Sequence, residues 1–339
     1  MSKKVTTIKD IAERLDISIA TVSRALRGST DIKRETKLAV MKMAKEMDYH
    51  PNLLASSLSS KKTKILGVVV PTINRQFWSN SISGIENSAY EHGYKVMIFQ
   101  SAESFQKEIE IVETLANSRV DGILLALSQE TKTYDHIQSI IDRGIPVLLF
   151  ERVCTEINTS KVITDDRNGA KEIVAHLINK GKKKIAYLSG PISLGVCEDR
   201  LAGYKEALRE GGLNIDPNLV LEIDEFSYSA AEKAILTLWE NGVRPDAIFC
   251  FADILAIGVL QACKKLGVNV PKELAIAGFG NDDLSKFVSP SLTTMAQPSF
   301  EMGHMAADLI LEEINAEERT LKFYNKTIKP QLIIRESTE

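Results

Sequence analysis

Cysteine is scarce in this chain. Its four residues, Cys154, Cys197, Cys250 and Cys263, never form a C-x-x-C pair. That excludes a disulfide frame and a thiolate zinc site, and reads as reduced thiols of a cytoplasmic protein. The five histidines (His50, His92, His136, His176, His304) are scattered without metal-ligand spacing, so no metal is expected. No apolar run approaches the ~18 residues of a membrane span. The N-terminal MSKKVTTIKD lacks the apolar stretch of a secretory signal. A Walker loop, H-E-x-x-H and G-x-S-x-G are all missing. Gly278-Phe279-Gly280 is a G-x-G without a third glycine, so no dinucleotide cofactor is expected. Asn158-Thr159-Ser160 spells a glycosylation sequon that a cytoplasmic chain leaves unused.

What is present is an ordinary globular composition, 44% hydrophobic and 26% charged over 339 residues, room for about two to three domains. The net charge of −3 hides a split. Residues 1–64 hold 14 Lys+Arg against 7 Asp+Glu, a net of +7, and the rest hold 28 against 38, a net of −10. A small basic head on a large acidic body suggests that the head meets a polyanion.

The head has the pattern of three short helices. Thr7 with Asp10 three residues on forms a helix start, and Ile8, Ile11, Ala12 and Leu15 make one apolar face. After Asp16-Ile17, Ser18 is a second N-cap. Val22, Ala25 and Leu26 then face inward and leave Ile19, Ala20, Thr21, Ser23 and Arg24 outside or at the edge. Gly28 is placed to stop this helix. A third helix over 34–47 has Leu38, Met41 and Met47 among its apolar positions. Two short helices joined by a tight turn, with a third closing the core, make a helix-turn-helix. The second helix would enter the major groove. There Thr21 and Ser23 offer hydroxyls, Arg24 a fork suited to guanine, and Ile19 and Ala20 apolar contacts to base methyls.

The segment from Tyr49 to Thr63 follows. Pro51 turns His50 away from helix, and Asn52 can cap about eight residues, a length marginal for an isolated helix in water. Small Ala55, Ser56 and Ser57 would let two copies approach, and Leu58 is suited to wedge between base steps in a minor groove. Composition alone reads the same stretch as a Ser/Lys linker.

From residue 65 onward, short apolar runs alternate with amphipathic stretches. Strands are expected at Ile65–Val70, Lys95–Phe99, Gly122–Leu127, Pro146–Phe150, Lys184–Leu188, Ala247–Phe251 and Leu274–Phe279. Gly93, Gly144, Gly181, Gly242 and Gly267 fall where helices should end. The alternation implies parallel βαβ units with helices on both faces, and ligands in such sheets bind beyond the strands' carboxyl ends. The cleft candidates are therefore Phe77 and Trp78 past the first strand, Glu151-Arg152 past the fourth, Asp165-Asp166, Arg200, and Asp253 past Phe251. Aromatics stack on a sugar or base, carboxylates accept sugar hydroxyls, and an arginine fork holds a carboxylate, phosphate or ring oxygen. Each also has a plain reading as core, cap or surface charge.

TIKDIAERLDISIATVSRALRG from Thr7 to Gly28, YHPNLLASSL from Tyr49 to Leu58 and ILGVVVPTI from Ile65 to Ile73 resemble the LacI-type (lactose and galactose repressor) family of bacterial transcription regulators. RLAGY at 200–204, ADILAIG at 252–258, AIAGF at 275–279, PSLTT at 290–294 and QLIIRES at 331–337 extend the resemblance over essentially the whole chain. It implies a small all-α helix-turn-helix head (1–50), a hinge helix (51–64) and an α/β body. The body would be two doubly wound parallel-sheet subdomains of the periplasmic-binding-protein-like type, residues 65–164 with 296–324 and residues 165–295 with 325–339. The implied DNA contacts are Thr7, Ser18, Ile19, Ala20, Thr21, Ser23, Arg24, Asn52, Ala55 and Leu58. Phe77, Trp78, Glu151, Arg200 and Asp253 match effector-pocket positions or their neighbours, with Asn281 as a further candidate. Two departures stand out: Gly280 replaces an aspartate of many sugar-binding members, and Ala252 an asparagine of some. Two hydroxyl-binding groups are thus missing unless Asn281 or Asp282 replaces them.

The resulting expectation is a cytoplasmic homodimer that binds a near-palindromic double-stranded operator. A sugar or sugar derivative between the subdomains would control it, without cofactor, metal or membrane. A transport-type binding protein would call for a signal peptide and no basic head. An α/β enzyme would call for a phosphate loop or an acid/base set.

Overall fold

The structure, a computed structural model, describes residues 6–26, 29–49, 62–190, 195–223, 225–316 and 322–339. The chain divides into two units, Met1–Thr63 and Lys64–Glu339.

In the first unit α1 spans Ile8–Leu15, α2 Ile19–Leu26 and α3 Arg34–Glu46. Thr7 and Asp10 cap α1 reciprocally, the Asp10 carboxylate accepting from the Thr7 amide at 2.7 Å. Ile11, Ala12, Val22, Ala25, Val40 and Ala44 form the core. Not every apolar position of α3 faces inward: Leu38 and Met41 are 59% and 52% exposed, and the inward face is Val40, Ala44 and half-buried Met47. Positions i, i+4 and i+7 share a helix face, and Leu38 and Met41 fall off that stripe.

The second unit holds two sheets. In the first, β1 (Ile65–Val70), β2 (Lys95–Gln100), β3 (Gly122–Leu125), β4 (Val147–Phe150), β5 (Lys161–Thr164) and a late strand, Asn325–Ile328, are all parallel. Their order runs from Asn325–Ile328 through β5, β4, β3 and β1 to β2 at the edge. In the second sheet the order is Gln331–Ile333, Thr293–Ala296, Ala275–Gly280, Ala247–Cys250, Ile185–Ser189, Val220–Glu222, with only Gln331–Ile333 antiparallel. These strands are β6 (Ile185–Ser189), β7 (Val220–Glu222), β8 (Ala247–Cys250), β9 (Ala275–Gly280), β10 (Thr293–Ala296), β11 (Asn325–Ile328) and β12 (Gln331–Ile333). The central strands are buried on both faces, which is why they read as unbroken apolar runs.

The chain crosses between lobes after Thr164, after Ala296 and after Ile328. The expected return at 324/325 is therefore moved: β11 completes the first sheet beside Lys161–Thr164, and only from Gln331 does the tail join the second. β11 is a polar edge strand, N-K-T-I, exposed over its first three residues, and carries no apolar alternation to mark it.

Helices cover both sheets: α4 (Gln76–Glu91), α5 (Phe105–Asn117), α6 (Asp135–Asp142) and α12 (Ser299–Asn315) in the first lobe, α7 (Asp166–Asn179), α8 (Gly195–Glu210), α9 (Tyr228–Glu240), α10 (Asp253–Leu266) and short α11 (Leu284–Phe287) in the second. α4 and α12 touch backbone to backbone. A Cβ on Gly303 would lie 1.9 Å from the Ser81 carbonyl, and one on Gly84 2.0 Å from that of Phe300. All four cysteines are buried and unpaired. Among the described residues no helix is long and apolar enough to cross a membrane.

Candidate functional site

In the head, the Ser18 hydroxyl caps α2, accepting from the Thr21 amide at 3.1 Å and lying 2.8 Å from the Thr21 hydroxyl. Burial of Val22 and Ala25 turns the opposite face outward, where Ile19, Ala20 and Arg24 are exposed and Thr21 and Ser23 half-buried. The Arg24 Nε donates to the Ala20 carbonyl at 3.3 Å, so the guanidinium lies along the helix. Thr7 is committed to the α1 cap, its hydroxyl 2.7 Å from Asp10. Gly28, Asn52, Ala55 and Leu58 lie outside the described residues.

In the body, a cavity of about 260 Å³ opens between the lobes at the carboxyl ends of both sheets. Arg75, Gln76, Phe77, Trp78, Glu151 and Arg152 line it from the first lobe. Arg200, Phe226, Tyr228, Phe251, Phe279 and Asp282 line it from the second, and Gln297 from the crossover after β10. Helix α8 delivers Arg200 to its floor, fully surrounded. The guanidinium donates to the Asp166 carboxylate at 2.6 and 2.7 Å and to the Phe251 carbonyl at 2.6 Å, and lies 3.7 Å from Glu151. It also stacks 3.7 Å from the Phe279 ring centroid and 4.3 Å from that of Phe251. Burial pushes the Asp166 carboxyl up, to about 7, against the pull of Arg200, with Glu151 adding to the rise.

Glu151, at a left-handed φ of +57° just past β4, accepts from Gln297 Nε2 at 2.9 Å. Trp78 is buried and stands edge-on to Phe77 at 4.9 Å. Arg152 lies over Trp78 and pairs with Glu103 at 2.7 Å. The lobes also touch directly: Arg75 Nη2 donates to the Phe226 carbonyl, and the Asp283 amide donates to Gln76 Oε1, each at 2.7 Å.

The expected residues are thus divided. Phe77, Trp78, Glu151 and Arg200 line one cavity, and Asp253 and Asn281 do not. Asp253 is fully buried beneath it, accepting from Thr294 and Ser285 hydroxyls at 2.6 Å and from the Asp282 amide at 2.9 Å. Burial raises its carboxyl, and those three bonds oppose the rise. Asn281 accepts from Arg335 at 2.7 Å. Asp282 lines the cavity instead. Asp165 caps α7 through the Asn168 amide, while Asp166 holds Arg200. The reading along strand ends passed over Arg75, Gln76, Phe226, Tyr228 and Gln297. Arg75 and Gln76 immediately precede Phe77 at the start of α4 and could have been found there, whereas Phe226 and Gln297 follow strands too short to recognise.

A two-lobed, doubly wound body with a cavity at the strand ends between its lobes, on a chain that begins with a helix-turn-helix, defines a sensor of the periplasmic-binding-protein-like class carrying a DNA-binding head. Comparison with known proteins agrees in both parts: residues 174–338 match the periplasmic binding protein-like domain, and residues 7–52 match the bacterial regulatory proteins, lacI family. The chain is 33% identical over 332 residues to the HTH-type transcriptional repressor CytR of Escherichia coli (strain K12), covering 98% of this chain and 96% of that one. It is similar to the solved structure of a transcriptional regulator CelR–cellobiose complex, with a TM-score of 0.74, 26% identity and coverage of 98% and 99%. It shares its fold with the lac repressor dimer bound to operator and the anti-inducer ONPF, with a TM-score of 0.88, 24% identity and coverage of 99% of both chains. The chain belongs to the lacI family and is a DNA-binding transcriptional regulator, not an enzyme.

Proposed function

We propose that this regulator is a homodimeric repressor whose affinity for a near-palindromic operator is set by a small carbohydrate-related effector held between the lobes. The observation that carries this reading is the shared construction of the cavity. Its charged floor joins Arg200 of the second lobe to Glu151 of the first, so a ligand seated there acts on both lobes at once. Aromatics, carboxylates and an arginine fork suit a polyhydroxylated ring, and the CelR relative is a cellobiose complex. In the head, Arg24 reads a guanine, Ile19 and Ala20 meet base methyls, and Ser18, Thr21 and Ser23 contact phosphate or base edges. Thr7, held in the α1 cap, steadies the helix against which the reading helix packs. Asn52, Ala55 and Leu58 belong to the segment that would order between paired copies on DNA, with Leu58 opening the minor groove.

A second copy also fits the first lobe. Edge strand β2 leaves Met97 and Ile98 38% and 46% exposed, and Tyr90 at the end of α4 is 76% exposed. Such an edge and apolar surface are what an isologous interface covers.

The test has two stages. Purified full-length protein is used to select duplexes from a random library. Anisotropy titrations on the selected site are then run with sugars, sugar acids, sugar phosphates and nucleobases. The reading expects a site with dyad symmetry, bound two chains at a time, and at least one carbohydrate-related compound that changes its affinity. No selected site, or an affinity indifferent to every such compound, would contradict it.

A further inference from the structure

Among the described residues, two charged side chains in the inter-lobe cavity have no ion-pair partner. Arg75, in the first lobe just past β1, donates to the Phe226 carbonyl and lies 5.1 Å from that ring's centroid. Among the described residues no ion pair joins it to a carboxylate. The strongest charge acting on it is a like one, Arg152, which Glu103 already occupies. Asp282 comes from the opposite wall. Asp253 holds its backbone amide, but its carboxylate accepts no hydrogen bond from any described residue. Burial pushes the Asp282 carboxyl up, to about 6, with Asp253 and Asp283 adding to the rise and Arg75 opposing it. The cation and the carboxylate influence one another across the cavity without meeting.

The loop is built to present this carboxylate. Gly280 has φ +131°, a region in which L side chains are strained, although a Cβ there would meet nothing nearer than Asp282 Oδ1 at 3.7 Å. Backbone conformation, not space, requires the glycine. The turn sends Asn281 to Arg335 and brings Asp282 into the cavity.

We propose that Arg75 and Asp282 are the specificity pair of the effector site, reading two adjacent hydroxyls of a neutral ring ligand, Arg75 donating to one oxygen and Asp282 accepting from its neighbour. This rests on the effector reading above and deepens it. A hydroxyl both donates and accepts, so an adjacent pair satisfies both groups without burying a new charge. An anionic group would meet Asp282 and Glu151, and a cationic one Arg75 and Arg152. Phe226 and Trp78 give the cavity part of its aromatic lining. The pair spans the lobes, so the ligand that joins them also fastens the cleft.

Calorimetry on the full chain tests this with D-ribose, D-glucose, cellobiose and uridine as neutral probes, and with glucose 6-phosphate and glucuronate as charged ones. The monodeoxy analogues of any neutral probe that binds are then compared with their parent. At least one neutral probe should bind, and loss of either of two adjacent hydroxyls, but not of the others, should weaken it tenfold or more. Asp282→Asn and Arg75→Gln should each weaken the parent at least tenfold while the far-ultraviolet spectrum stays unchanged. Wild-type affinity should fall between pH 7.5 and 5.5 as Asp282 takes up its proton, and Asp282→Asn should reduce that dependence to whatever Asp166, which titrates in the same window beside Arg200, contributes. The proposal is overturned if no neutral probe binds, if both variants stay within twofold of wild type, or if a charged probe binds more tightly than its neutral parent. A probe held by the pair that leaves operator affinity unchanged would instead defeat the effector reading and leave the pair standing.

Discussion

In the proposed reading, a single side chain, Arg24, recognises a guanine. Exposed on α2, it is the one charged group among the expected base-reading positions. Arg24→Ala should cost about 1–3 kcal/mol of specific operator affinity. Binding to random duplex should change far less, and paired anisotropy titrations separate the two. Arg200 is a different kind of arginine. Its position among cleft residues was legible from the RLAGY motif, but its enclosure was not, because burial depends on Asp166, Phe251 and Phe279 arriving from three other segments. Arg200→Ala strands Asp166 and Glu151 in the interior without their cation, which typically costs about 3–5 kcal/mol. A urea midpoint close to wild type would show that the network carries little of the stability. The raised carboxyls of Asp166, about 7, and Asp282, about 6, have a second consequence. Both stand above the ~3.9 of an unfolded aspartate, so these two groups hold more protons in the folded chain than in the unfolded one from about pH 4 to about 7. These two groups therefore stabilise the fold as pH falls through that window. Asp282→Asn should remove its share, visible as a smaller gain in Tm between pH 7 and pH 5.

At the scale of the element, periodicity served well where burial is two-sided or a helix has one clean face. β1, β8 and β9 are apolar runs because helices cover both faces. Gly93, Gly144, Gly181, Gly242 and Gly267 all adopt positive φ at or just beyond helix ends. The same reasoning missed β5, β7, β10, β11 and β12, which are three or four residues long. Three residues of β11 face outward and those of β7 and β12 are only part-buried, so no apolar pattern marks them. Nor did the apolar positions of α3 mark its inward face, which Val40, Ala44 and Met47 supply while Leu38 and Met41 stay exposed. The contact of α4 with α12 was invisible for another reason: it brings together helices more than 200 residues apart in sequence through glycines that leave no apolar signature. Gly303→Ala would press a methyl against the Ser81 backbone, forcing the helices apart at about 1–3 kcal/mol. An unchanged thermal midpoint would mean that the contact is slack.

For the whole molecule, the charge split and the motif string from Thr7 to Gly28 already pointed to a DNA-binding head on a sensing body. The two-lobed discontinuity could be had only from family resemblance, since periodicity says nothing of which sheet a returning strand joins. The effector chemistry was least legible. Asp253 and Asn281 were natural choices by position, but hydrogen bonds from Ser285, Thr294 and Arg335 occupy them and leave the cavity to Asp282 and Arg75. The account as a whole depends on coupling between that cavity and the operator. Linkage makes such coupling reciprocal, with typical factors of about 5–150. The most direct measurement is a closed cycle: operator affinity with and without a saturating compound from the screen, and that compound's affinity for free and operator-bound protein. The account predicts the same factor, well above unity, on both sides of the cycle. Operator affinity that stays the same while the inter-lobe cavity is filled would contradict it.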